Sequence, residues 1–205
     1  MVSVAGRPIA EHQLEWLRAN GVTDAVFLCG YKAQVLRAHV GDGSRFGVRV
    51  RYSHEESPLG RGGALKKGWS QVPEGVEHVI ACNGDVLTDQ VLARMIDFHR
   101  TNVAVGTVML APLQSAFGIV DLDAADRIRM FREKPVLPYW INAGVYVLSR
   151  AFFALLPEKG DHETTTFPKL AAEGKLFGFR SGAYWRPVDS IKDISEAEKE
   201  LAGSR

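Results

Sequence analysis

The side chains of this sequence that could carry chemistry sit where apolar runs end. Asp85 closes the stretch Val79-Ile80-Ala81-Cys82-Asn83-Gly84-Asp85. A β-branched apolar run of this kind reads as a buried strand, so the carboxylate falls at a strand's carboxyl end, where open α/β sheets bind ligands. Asp189 holds a comparable place in Tyr184-Trp-Arg-Pro-Val-Asp189-Ser190, ahead of the last helical pattern. Two separated acids suit a Mg²⁺ held by carboxylates, waters and substrate phosphates. Gly60-Arg61-Gly62-Gly63 opens a helical segment, and its backbone N–H groups and dipole suit an anion or a planar base. Upstream, Glu55 and Glu56 can only accept hydrogen bonds, which would favour guanine or cytosine over uracil or thymine. Glu133-Lys134-Pro135 places a point charge fit for phosphate after a strand, and Asn142 with Gly144 puts an amide and bare backbone where sugar hydroxyls could be read. Each of these has a structural alternative: Asp85 a polar turn, the glycines a flexible turn, Glu55 and Lys134 solvated surface, Asn142 a local backbone partner, Asp189 a helix cap.

The elements that must position these groups alternate along the chain. Pro8 suits the first turn of a helix that Asn20-Gly21 stops, followed by a strand from Thr23 to Cys29 and a helix from Ala33 to Val40. Further strands are expected at Val48–Tyr52, Val79–Cys82, Asn102–Leu110, Gly118–Asp121, Ile128–Phe131, Ile141–Leu148 and Leu176–Phe179. Helices are expected from the glycine-rich turn to Trp69, after Val86 with Thr88 as N-cap, near Ala151–Leu156 and over Ile191–Leu201, with Ser190 as its cap. Strands and helices in this order predict one Rossmann-like α/β domain over residues 1–205, a mixed sheet flanked by helices with an added antiparallel portion.

Composition removes several classes of function. The 25 basic and 24 acidic residues give a net charge of +1, with no basic cluster beyond Lys66-Lys67 and no run of membrane-spanning length. Neither a nucleic-acid nor a membrane partner is expected. Cys29 and Cys82 both lie in apolar strand-like runs, which suits buried thiols in a reducing cytoplasm. Zinc is not expected, because the six histidines have no ligand spacing, and no nucleophile elbow is present.

Together these stretches resemble the sugar-1-phosphate nucleotidyltransferases, the NDP-sugar pyrophosphorylases. The matching segments run in family order: Val4-Ala-Gly-Arg-Pro-Ile9, Gly30-Tyr31-Lys32, Glu55-Glu-Ser-Pro-Leu-Gly-Arg-Gly-Gly-Ala64, Asn83-Gly84-Asp85, Phe131-Arg-Glu-Lys-Pro135, Ile141-Asn-Ala-Gly-Val-Tyr146, and Glu163 with Phe167-Pro168. The resemblance implies Mg²⁺ on Asp85 and, as in cytidylyltransferases with Trp-x-Pro-x-Asp-Thr, on Asp189. It implies Asp85 and Lys134 as catalytic, Glu55, Gly60 and Gly84 toward the nucleotide, and Glu133, Asn142, Gly144 and Glu163 toward the sugar phosphate. The implied reaction joins an NTP and a sugar 1-phosphate into an NDP-sugar and pyrophosphate, with a homo-oligomer left open. The front half is similar to mannose- and heptose-1-phosphate guanylyltransferases and the end to cytidylyltransferases, so the base stays open. The family's first strand and its Gly-Gly-x-Gly-Thr-Arg-Leu loop have no counterpart ahead of Met1. That implies truncation, whether a late start site or a shortened gene, and weak or absent turnover. The alternatives are a non-catalytic sugar-phosphate or nucleotide-binding homologue or partner subunit, and a phosphocholine cytidylyltransferase, which would lack the Asn142 constellation.

Overall fold

The computed structural model describes residues 1–203. A hairpin of β1 (Ser3–Val4) and β2 (Arg7–Pro8) opens the chain. Its two turn residues, Ala5 and Gly6, both have positive φ, as a two-residue hairpin of primed type requires. Pro8 then caps α1 (Ile9–Ala19), and β3 (Asp24–Cys29), α2 (Ala33–Val40) and β4 (Arg49–His54) form a β–α–β unit with β3 and β4 parallel. Next come α3 (Gly60–Trp69), β5 (His78–Cys82), β6 (Val86–Thr88) and α4 (Leu92–Thr101). The long strand β7 (Gly106–Gln114), the hairpin β8 (Ile119–Leu122) with β9 (Ile128–Arg132), and β10 (Val136–Ser149) follow. Short helices α5 (Arg150–Ala154) and α6 (Thr166–Ala172), strands β11 (Leu176–Arg180) and β12 (Trp185–Pro187), and α7 (Ile191–Gly203) complete the described chain.

The central sheet runs β11-β7-β10-β5, with β11 parallel to β7 and β10 antiparallel to both its neighbours. Alternation along β10 decides the layering. Val145 and Val147 face Leu92 and Met95 of α4 and Met109 of β7, with Trp16 and Leu17 of α1 packed beside them. Tyr146 and Leu148 point the other way, onto Phe152, Phe153, Phe167 and Leu170, with Leu65 and Trp69 of α3 alongside. A sheet apolar on both faces needs cover on both, and the mixed three-layer arrangement is the Rossmann-like fold expected from the sequence.

Two of the strands with a single partner flank the candidate site. β3 bonds to β4 and β5 to β10, while the other edge of each is unpaired. Both helices beside them bridge the interval. α1 sends Leu14 to Val48 and Val50 on one side and Trp16 to the central sheet on the other, and α3 packs Gly68 against Leu28 and Leu65 beside Ala81. The apolar residues of β5 are consequently only half-buried.

Two local expectations are corrected. Val86 does not start a helix; Val86–Thr88 pairs with Trp185–Pro187, and the Thr88 hydroxyl donates to the Tyr184 carbonyl rather than capping α4. The strand expected from Asn102 begins at Gly106, because α4 continues to Thr101 and Val103 turns with φ 48°.

Candidate functional site

The turn after β5 is held from three elements. Asn83 donates its backbone N–H to the Gly144 carbonyl of β10 at 2.8 Å, the Gln13 amide of α1 donates to the carbonyls of Asn83 (2.7 Å) and Val86 (3.0 Å), and Val188 donates to the Asp85 carbonyl at 2.9 Å. This fixes Asp85 at the rim of a cavity of about 590 Å³ lined by Leu28, Glu55, Gly60, Arg61, Ala81, Cys82, Asn83, Gly84, Tyr146 and His162, among others. Burial raises the Asp85 carboxyl above the usual aspartate range, and the nearby Asp189 carboxylate raises it further. A carboxylate whose charge is disfavoured by burial and by a second acid nearby is a donor that a hard divalent cation relieves. No cluster of three or more metal-type ligands occurs among the described residues, so the remaining ligands would be waters and substrate oxygens.

Asp189 is free for that role because the helix has another cap. The Ser190 hydroxyl accepts from the Asp193 N–H at 3.3 Å, and the Asp193 carboxylate accepts from the Ser190 N–H at 2.8 Å, a reciprocal capping box.

The glycine-rich N-terminus of α3 is occupied by the protein itself. Gly62 and Gly63 donate to the Gly160 carbonyl at 2.9 and 3.2 Å, and the Arg61 N–H goes to Asp161 Oδ1 at 2.9 Å. The glycines allow close approach. A Cβ on Gly62 would lie 2.8 Å from the Gly160 oxygen and one on Gly63 2.6 Å from the Glu158 oxygen, while Gly60 also needs its φ of 74°. Glu55 uses one carboxylate oxygen to accept the Leu59 N–H at 2.8 Å, fixing the approach to α3, and still lines the cavity.

Across the cavity a polar cluster grows from a β-bulge in β10 between Asn142 and Tyr146. Gly144, with φ 70°, passes so close to Asn83 that a Cβ would sit 2.6 Å from its amide nitrogen. Asn142 Oδ1 accepts the Gly144 N–H at 2.9 Å, and Asn142 Nδ2 donates to Tyr146 Oη (3.0 Å) and Glu163 Oε1 (2.8 Å). The Tyr146 hydroxyl donates to the same Glu163 oxygen at 3.1 Å, and Arg61 Nη1 pairs with Glu163 Oε2 at 2.6 Å. Burial pushes the Tyr146 phenol far up and the Cys82 thiol to about 11, and it lowers His162, so all three are neutral at pH 7. Both ring nitrogens of His162 are buried without a hydrogen-bond partner.

The structure therefore brings Asp85, Gly84, Glu55 and Gly60 to one cavity, with Asn142, Gly144 and Glu163 bonded to or packed on its wall. Glu133 and Lys134 are exposed and outside the lining; Lys134 sits at the β9–β10 turn with φ 46° and its carbonyl accepts from Gln114. Arg61, Tyr146 and His162 also belong to this site, though no local pattern in the sequence marks them. Arg61 interrupts a glycine run, Tyr146 lies four residues from Asn142, and His162 adjoins Glu163, but these spacings become one site only once β10 bulges and the segment after α5 folds back on α3.

A family model described as nucleotidyl transferase matches residues 1–204. Mannose-1-phosphate guanylyltransferase of Mycobacterium tuberculosis is 35% identical over 98% of this chain and 58% of its own length. Mannose-1-phosphate guanyltransferase of Candida albicans is 32% identical over 95% of this chain and 56% of its own. The chain thus spans little more than half the length of these relatives. Among solved structures, HddC from Yersinia pseudotuberculosis superposes with a TM-score of 0.79 at 23% identity, covering 98% of this chain and 88% of that one, which is a likeness of fold. Its complex with GMP-PN gives 0.78 at 22% identity, over the same shares of both chains.

Proposed function

The chain belongs to the nucleotidyl transferase family, and on that premise we propose that its cavity serves transfer of a nucleotidyl group from an NTP to a sugar 1-phosphate, giving an NDP-sugar and pyrophosphate. One observation carries the reading: Asp85, with Asp189 near enough to act on its charge, lines the same cavity as Tyr146, whose hydroxyl is bonded into a cluster with Asn142 and Glu163. Mannose 1-phosphate and GTP are the first substrates to try, since relatives over almost the whole chain bear the name mannose-1-phosphate guanylyltransferase.

The chain's own residues would act by positioning. Asn142, Tyr146 and Glu163 orient the sugar, the Asn83–Asp85 turn and Gly60 border the nucleotide, and Asp85 with Asp189 would hold Mg²⁺. When bound, that ion would neutralise phosphate charge and orient the reacting groups. The phosphate oxygen of the sugar would attack the α-phosphorus of the NTP as pyrophosphate leaves, with no covalent enzyme intermediate. Lys134 enters this scheme only if the β9–β10 turn moves toward the cavity when a phosphate binds.

A second reading rests on charge. Arg61 is the one Lys or Arg lining the cavity among the described residues, and it is already paired with Asp161 and Glu163. A triphosphate needs more positive charge than that. β3 and β5 each have one unpaired edge, and we propose that turnover requires a further strand on them and a basic glycine-rich loop that adds positive charge at the cavity. Without them the chain would be a binding homologue. Pyrophosphate release from a panel of NTPs and hexose or heptose 1-phosphates, with Mg²⁺, tests both readings in this chain and in a form extended ahead of Met1. Release only in the extended form supports the transferase; release in neither, with sugar-phosphate binding retained, supports the binding homologue.

A further inference from the structure

The Gly60–Gly63 turn needs small residues on either side of Arg61, yet it carries a long cation whose guanidinium spans two acids of a distant segment. Arg61 Nε and Nη2 donate to Oδ1 and Oδ2 of Asp161, both at 3.1 Å, and Nη1 reaches Glu163 Oε2 at 2.6 Å. A two-pronged grip on one carboxylate with a third contact on another is a geometry that only a guanidinium provides. Its side chain is 52% exposed, where ion pairs add little to stability, so the arrangement calls for another explanation. The acids supply it. Asn142 and Tyr146 both donate to Glu163 Oε1, while Oε2 meets the Arg61 guanidinium as an ion pair and accepts no hydrogen bond among the described residues, so Oε2 keeps acceptor capacity next to the cavity-lining Tyr146 and Arg61.

We propose that Arg61 is a positioning residue that sets specificity for the sugar half of the substrate, by holding Glu163 so that its Oε2 takes a sugar hydroxyl. The inference rests on the functional reading above, and it assigns Arg61 no contact with phosphate. Asp161 anchors the guanidinium from behind, and Glu163 is the group that meets the substrate.

Isothermal titration of the full chain with mannose 1-phosphate, and separately with inorganic phosphate, tests this. Arg61→Ala should weaken mannose 1-phosphate about tenfold and leave inorganic phosphate within about twofold, a tenfold change being about 1.4 kcal/mol. Placed on Glu163→Gln, the same substitution should add nothing, because its effect passes through the carboxylate. Arg61→Lys, which can reach only one acid at a time, should fall between wild type and Arg61→Ala, and it serves for the comparison if Arg61→Ala does not fold. An unchanged mannose 1-phosphate affinity in Arg61→Ala, an undiminished effect on the Glu163→Gln background, or an equal loss for inorganic phosphate would each overturn the proposal. Failure of wild type itself to bind mannose 1-phosphate or any other hexose or heptose 1-phosphate would instead remove the functional reading, and this inference with it.

Discussion

Gly144→Ala should be among the most damaging single-methyl changes this fold can receive. Gly144 holds φ 70°, and a Cβ there would lie 2.6 Å from Asn83 Nδ2, 2.9 Å from its Cγ and 3.2 Å from its Cβ. Placing an L-residue in that left-handed conformation costs about 1 to 2 kcal/mol. Forcing the Asn83 side chain aside adds roughly 1 to 3 kcal/mol, as overpacking of a tight site does. The expected loss is about 2 to 5 kcal/mol, which is roughly 4 to 20 °C for a chain of this size. Asn83→Ala removes the two nearest atoms and leaves only the contact at 3.2 Å, so on that background the cost should fall to about 1 to 2 kcal/mol. Urea unfolding of the four variants reads this as a shift in midpoint at constant slope. Equal costs on both backgrounds would show that Asn83 does not confine the turn, and no cost at all would refute the bulge geometry that joins Asp85 to Asn142.

Two further expectations follow from the same framework. Ser190→Ala should lose about 1 kcal/mol, the usual value of an N-cap, whereas Asp189→Ala should lose far less; a reversed order in thermal unfolding would mean that Asp189 is the cap and is not available to a cation. His99 is buried against Thr107 Oγ1 at 2.9 Å, and burial, then the neighbouring His78, depress its pKa to about 4. The unfolded chain therefore takes up the proton first, so stability present above pH 6.5 should be lost as pH falls toward about 4. His99→Asn should give a shallower decline in unfolding free energy over that window, and an equally steep one would place the acid sensitivity elsewhere.

What could be read from the sequence was what depends on neighbours along the chain. The helices over Ala33–Val40 and Gly60–Trp69, the acid after the Val79–Cys82 strand and the Ser190 cap all follow from local pattern, and the structure has them. The short strand at Val86–Thr88 was not legible, because its partner is Trp185–Pro187, about a hundred residues on, and an apolar pair followed by a cap-like threonine looks like the start of a helix. The glycine-rich turn was legible as a helix start but not as a packing surface. Its donors face the Gly160 carbonyl and Asp161, which no local pattern connects to Gly62. The half-buried state of β5 has the same origin: a run apolar enough for a fully covered strand has a neighbour on one edge only.

Pyrophosphate release from GTP and mannose 1-phosphate in the presence of Mg²⁺, measured side by side for the extended chain and its Asp85→Asn variant, tests the central claim most directly. Release should require the sugar phosphate and fall by about a thousandfold or more in the variant, on the scale of losing a preorganised charge-stabilising group. Equal release from both proteins would contradict it, because Asp85 would then stand outside the chemistry of its own cavity.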